Sequence, residues 1–184
     1  MKKQFLKMTL AVTGAVLASI PSFAASNTMK APETQAQLEE RVRHELVMLP
    51  YFNIYDDLSF RVENGKVVLM GEVTRPTLRS DAEGVVKHIA GVTSVENNIE
   101  VLPLSNFDNG IRLRVARAVY GQSALNRYAL GAQPSIHIIV KNGSVTLEGV
   151  VANAMDRNIA GIQANGVSGV FNVTNNLRIE NKRS

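Results

Sequence analysis

Three histidines, His44, His88 and His137, are the side chains of this chain best suited to moving a proton or holding a metal. Imidazole titrates near neutrality and is a common metal ligand. The three are scattered over two expected helices and a strand. None has a carboxylate or second histidine at a ligand spacing on the right face, so they read as partly exposed surface residues. Asp56-Asp57 stands just before an expected strand, where paired acids suit turn chemistry better than acid–base work. The serines lack the G-x-S-x-G elbow that would present a nucleophile. The chain has no cysteine, which removes thiol chemistry and disulfide staples together. Gly166-Val167-Ser168-Gly169 has the form of a G-x-x-G loop that clamps RNA, but it falls between a helix and a strand of a chain read as exported, and the match is chance. No catalytic residue, metal, cofactor or nucleic-acid partner is expected.

The chemistry that remains is that of an anionic surface. Ile111, Val115, Ala118 and Val119 recur at helical spacing and make an inward stripe. Leu113, Arg117 and Tyr120, at i, i+4 and i+7, then share the outward stripe, with Arg114 on its flank. A large apolar side chain, a guanidinium and a phenol on one solvent face suit a bilayer interface, where apolar parts enter the headgroup region and arginine meets phosphate. Arg127 and Tyr128, in a loop after this helix, could extend the surface. An equal alternative is that Leu113 and Tyr120 pack against the preceding half of the chain or against that loop.

These residues are positioned by a unit that occurs twice. Val62-Glu63-Asn64-Gly65-Lys66-Val67-Val68-Leu69-Met70-Gly71-Glu72-Val73 and Val140-Lys141-Asn142-Gly143-Ser144-Val145-Thr146-Leu147-Glu148-Gly149-Val150-Val151 both read V-x-N-G-x-V-x-L-x-G-x-V, 78 residues apart. Asn-Gly between alternating apolar runs predicts a β-hairpin with a type I′ turn. Upstream, Leu38, Val42, Leu46 and Leu49 predict a helix that Pro50 ends. Downstream, Pro76 opens a second helix buried through Leu78, Ala82, Val85, Val86 and Ile89. Gly91-Val92 leads to a third strand carrying Val95, Ile99 and Val101. Arg41-Val42 matches Arg114-Val115 at an offset of 73, so the second copy has five extra residues between its first helix and first strand. The order α-β-β-α-β, twice, predicts an α+β fold of two repeated domains, each a three-stranded mixed sheet packed against two helices. The expected boundaries are 36–104 and 109–184, with 105–108 as linker and 25–35 as a flexible leader.

Residues 1–24 read as a cleavable export signal. Lys2, Lys3 and Lys7 precede the uncharged run Met8–Leu17, and Ser22-Phe23-Ala24 supplies small residues at a cleavage site. The apolar run is short of the roughly 20 residues that span a bilayer. No cysteine follows it to carry a lipid, so the expected compartment is the periplasm. Charge is distributed unevenly between the repeats. Residues 36–104 hold seven Lys or Arg against eleven acids, a net of −4, whereas 109–184 hold nine against three, a net of +6. Anionic surfaces should prefer the second repeat.

Two copies of α-β-β-α-β with this hairpin, each followed by G-V-x-x-V-x-N-N-[IL]-x-[VI], resemble tandem BON domains over nearly all of the chain beyond the leader. The resemblance implies a non-enzymatic envelope protein whose partner is the anionic phospholipid surface, with a role in envelope integrity or tolerance of osmotic stress. Lipoprotein relatives carry a cysteine after the signal, which this chain lacks. Read from the residues alone, a protein-interaction or chaperone-like module in the periplasm is the alternative, with Tyr51, Phe52 and Tyr55 touching other envelope proteins.

Overall fold

Asn64 and Gly65 both take positive φ, 50° and 82°, and Asn142 and Gly143 repeat the pair at 52° and 76°. That is the type I′ geometry predicted from Asn-Gly. The computed structural model describes residues 34–130 and 133–180; the expected signal and most of the leader lie outside them. Repeat one comprises α1 (Gln35–Val47), β1 (Asp57–Glu63), β2 (Lys66–Val73), α2 (Pro76–Lys87), β3 (Ser94–Asn97) and β4 (Glu100–Val101). Repeat two comprises α3 (Asn106–Tyr120), a 3-10 turn at Asn126–Ala129, β5 (Ile136–Lys141), β6 (Ser144–Val151), α4 (Ala154–Asn165), β7 (Asn172–Asn175) and β8 (Arg178–Ile179).

Each helix start has a local cause. Thr34 and Gln37 form a reciprocal capping box at α1, Pro76 opens α2, and Ser105 and Asn153 cap α3 and α4 by accepting from the amides of Asp108 and Asp156. Helix α3 thus begins inside the stretch expected to be linker.

In both repeats the second strand is central. It pairs antiparallel with the first and parallel with the third. The third strand is not continuous as expected but broken in two, β3/β4 and β7/β8. The cause is an asparagine at each break. Asn97 Nδ2 donates to the Arg79 carbonyl at 2.9 Å while its Oδ1 accepts from the Ile99 amide at 3.2 Å. Asn175 does the same with the Arg157 carbonyl and Leu177 amide at 2.7 and 3.3 Å. The side chain takes over backbone bonding for one residue, and the strand rejoins the ladder at Glu72↔Glu100 and Val150↔Arg178.

Gly71 and Gly149, inside β2 and β6, have φ of 118° and 117°. A Cβ would fall 2.3 Å from the Asp57 carbonyl oxygen at the first and 2.0 Å from that of Ser135 at the second. Gly149→Ala should therefore destabilise the chain by about 1–3 kcal/mol, through backbone strain and steric overlap, read as a lower urea midpoint.

Val42, Leu69, Leu78 and Val86 anchor the first core, and Ile111, Val115, Ile138 and Leu147 the second. The two repeats are joined by more than chain. The Ile138 amide on β5 donates to the Ile54 carbonyl at 2.7 Å, and Phe52 stacks on His137 with centroids 5.5 Å apart. Tyr55, from repeat one, packs against the core of repeat two. Lys141 Nζ meets Glu100 at 2.6 Å.

The same boundary half-buries a carboxylate. Burial, and then the neighbouring Glu148, push the Asp57 acid above its ordinary value, against the pull of His137 and Arg178. The folded chain therefore holds this proton more tightly than the unfolded chain. The opposition to folding is absent at pH below the ordinary aspartate range, grows as pH rises toward the folded pKa, and is full above it. Asp57→Asn should raise the urea midpoint at pH 7, with the gain shrinking to nothing as the pH falls below the ordinary aspartate range.

Candidate functional site

Phe107, in the first turn of α3, and Phe171, just before β7, lie 64 positions apart and meet with ring centroids 6.1 Å apart. Phe171 is 75% exposed, Phe107 51%, and the preceding Leu104 97%. Two glycines make the seat. A Cβ on Gly143 would lie 2.5 Å from the Phe171 ring, and one on Gly169 would lie 3.5 Å from the Phe107 ring and 3.2 Å from Arg114 Nη2. The Asn142-Gly143 turn is thus a bed for an exposed aromatic pair as well as a hairpin turn. At the repeat offsets of 78 and 73, Phe171 and Phe107 correspond to Thr93 and Thr34. Repeat one has no such pair.

Arg114 belongs to this tip. Its Nε donates to the Ser168 carbonyl at 3.2 Å. Arg41 makes the corresponding bond to the Ala90 carbonyl, 78 residues before Ser168. The anchoring bond is therefore common to both repeats and structural. The exposed Arg114 differs from Arg41 in its aromatic neighbourhood.

The remaining expected surface residues divide. Leu113 and Arg117 are exposed, Leu113 bordering a cleft between the repeats. Tyr120 is not on the solvent stripe. It is partly buried against the second core, and its hydroxyl donates to the Ile136 carbonyl. Burial pushes its phenol well above the ordinary tyrosine range. The chain following α3 folds back over the helix's last turn, which a helical wheel cannot show.

Arg127 and Tyr128 are likewise engaged within the fold. Asp156 is buried, and Arg127, the Tyr128 hydroxyl and Asn153 Nδ2 all donate to its Oδ2. The Ala152 amide donates to the Tyr128 oxygen at 2.8 Å. In repeat one the position of Asp156 is the wholly buried Leu78. There the Thr74 amide, equivalent to that of Ala152, is bonded by the Asp56 carboxylate. The longer loop of repeat two thus supplies the donors that make a buried acid tolerable at a position which is apolar in repeat one.

Of the aromatics suited to a protein-interaction module, only Tyr51 is well exposed, with Arg75 4.8 Å over its ring. Phe52 and Tyr55 are taken up at the boundary between the repeats. Among the described residues no group of three or more His, Cys, Asp or Glu could hold a metal, and no helix is long and apolar enough to cross a membrane.

Comparison with known proteins matches the BON domain model twice, over residues 34–103 and 115–181. A search of curated protein sequences finds no match. Among solved structures, the chain is similar to CdsD, a structural protein of the type III secretion system of Chlamydia trachomatis, at 14% identity and a TM-score of 0.31, covering 78% of this chain and 92% of that one. It is also similar to the C-terminal domain of CdsD, at 13% identity and a TM-score of 0.29, covering 81% of this chain and all of that one. Similarity at that level carries no argument about structure or role. The two domain matches span well over half of the sequence; the first covers one α-β-β-α-β unit, and the second covers the other from the middle of α3 onward. The chain belongs to the BON-domain family and carries two of its domains in tandem.

Proposed function

We propose that the protein associates reversibly with anionic phospholipid surfaces of the cell envelope through its second repeat. BON domains are associated with membrane and phospholipid binding and are generally non-catalytic. The observation that carries the proposal is the Phe107–Phe171 pair beside Arg114. Two exposed rings with an exposed leucine nearby suit the headgroup boundary, and the terminal nitrogens of Arg114, which have no acceptor among the described residues, suit lipid phosphate. The net of +6 over 109–184 favours the same surface, and the −4 of repeat one keeps that half away from it. Attraction of about 1 kcal/mol per basic residue near the surface gives weak, salt-sensitive binding that suits reversible attachment. In this reading the protein works in the periplasm, supporting envelope integrity under stress.

Sedimentation with phosphatidylglycerol and with phosphatidylcholine vesicles over a salt series tests it. Binding to the anionic vesicles at low salt, released as salt rises, is expected. No sedimentation at low salt, or equal sedimentation with both lipids, would overturn the reading.

A further inference from the structure

Between the repeats lies a cleft of about 290 Å³, lined by Asn53, Tyr55 and Arg75 from repeat one and by Asn109, Arg112 and Leu113 from repeat two. Its volume is at the lower end of small-molecule sites, about 300–1,000 Å³, so it would hold a headgroup-sized ligand rather than a whole lipid. Arg112 is 5% exposed. One terminal nitrogen donates to the Val140 carbonyl at 2.7 Å and the other to Asn109 Oδ1, but its buried Nε–H has no acceptor. A buried donor without a partner is uncommon and calls for an explanation.

The nearby acids are already occupied. Asp56 accepts from the Thr74 amide and hydroxyl at 2.6 and 2.7 Å, and Asp108 accepts from the Asn142 and Gly143 amides at 3.0 and 2.8 Å. Arg75 is exposed over the Tyr51 ring and has no carboxylate at ion-pairing distance among the described residues. We propose that this cleft binds a phosphoryl anion, held between Arg112 on its floor and Arg75 at its mouth, with the side-chain amides of Asn53 and Asn109 and the Tyr55 hydroxyl as further partners. A tetrahedral anion offers oxygens in several directions and suits polar groups drawn from two walls, whereas a carboxylate offers two in one plane. The source is either a lipid headgroup, with Leu113 beside its glycerol, or a free phosphate. The site is separate from the aromatic tip and does not depend on the membrane reading.

The test is a titration of the isotope-labelled chain with inorganic phosphate and with sn-glycerol 3-phosphate at constant ionic strength, following arginine Nε–H and backbone amide resonances. Saturable shifts of Arg112 Nε–H and of the Tyr55 and Arg75 amides are expected. Arg75→Gln, on an exposed side chain, should weaken both probes about tenfold without unfolding the chain. Arg112→Gln should abolish the shifts if it folds. Displacement of the protein from phosphatidylglycerol vesicles by glycerol 3-phosphate assigns the site to headgroups; binding of the soluble probes without displacement, or with no vesicle binding to displace, assigns it to free phosphate. Phe107→Ser with Phe171→Ser, which probes the membrane reading, should leave the shifts intact. No shift of these resonances with either probe, or affinities unchanged by Arg75→Gln, would overturn the site.

Discussion

Phe107→Ser combined with Phe171→Ser is expected to weaken association with phosphatidylglycerol vesicles by about 10- to 150-fold. Full burial of a phenylalanine side chain is worth about 1.5–3 kcal/mol, and rings that are half to three-quarters exposed in the free protein can transfer about half of that each. Together they contribute about 1.5–3 kcal/mol, which sets the expected ratio. The fold should be little affected, because what the substitutions remove is mostly exposed surface. Sedimentation at low salt measures the ratio, and the urea midpoint provides the control. Binding unchanged within twofold would take the aromatic tip out of the membrane reading.

Asp108→Ala should be the most damaging single change considered, lowering stability by about 3–5 kcal/mol. Asp108 is 1% exposed and accepts from both turn amides, Asn142 N and Gly143 N. Alanine orphans the two amides and leaves the buried Arg112 guanidinium without one of the two carboxylates that face it. Asp108→Asn, with one acceptor oxygen in place of two, should fall between the wild type and alanine. Urea denaturation gives the order, and a loss within 1 kcal/mol for alanine would show that water satisfies the turn instead. At the position of Asp108, repeat one has Gln35, whose amide donates to the Val62 carbonyl at 3.3 Å. In repeat two the equivalent carbonyl, Val140, is bonded by Arg112. The same strand-end oxygen is thus satisfied by unrelated side chains.

What could be read from the chain alone was what is local. Asn64-Gly65 and Asn142-Gly143 require positive φ within two residues, and apolar spacing places Val42, Leu69 and Leu147 in cores without reference to anything distant. The side chains whose partners the sequence does not show answer to residues far along the chain. Arg127 and Tyr128 close on Asp156, 29 and 28 residues later, and Tyr120 reaches Ile136 across the inserted loop. Spacing within a helix says which face a residue is on, but not what later folds over that face. The sequence places Asp108 in the linker, because its role exists only once a turn 35 residues away has formed. Phe107 and Phe171 were within reach of the sequence. Laying the repeats over each other at offsets of 73 and 78 sets them against Thr34 and Thr93, an exchange of polar for aromatic at two positions flanking one turn. The split in the third strand was also foreshadowed by Asn97-Asn98 and Asn175-Asn176, since asparagine competes with the backbone ladder.

Tyr55 belongs by sequence to the first repeat and by packing to the second. Its ring is partly buried against the second core, so the two copies share packing across their boundary. Cutting the chain between Leu102 and Asn106 should not release two independent modules, because the second would lose the packing of Tyr55 and the Ile54 carbonyl that pairs with the Ile138 amide. The expected unit of unfolding, of truncation and of transfer to another protein is accordingly the pair, with the single domain a pattern in the sequence rather than a separable body.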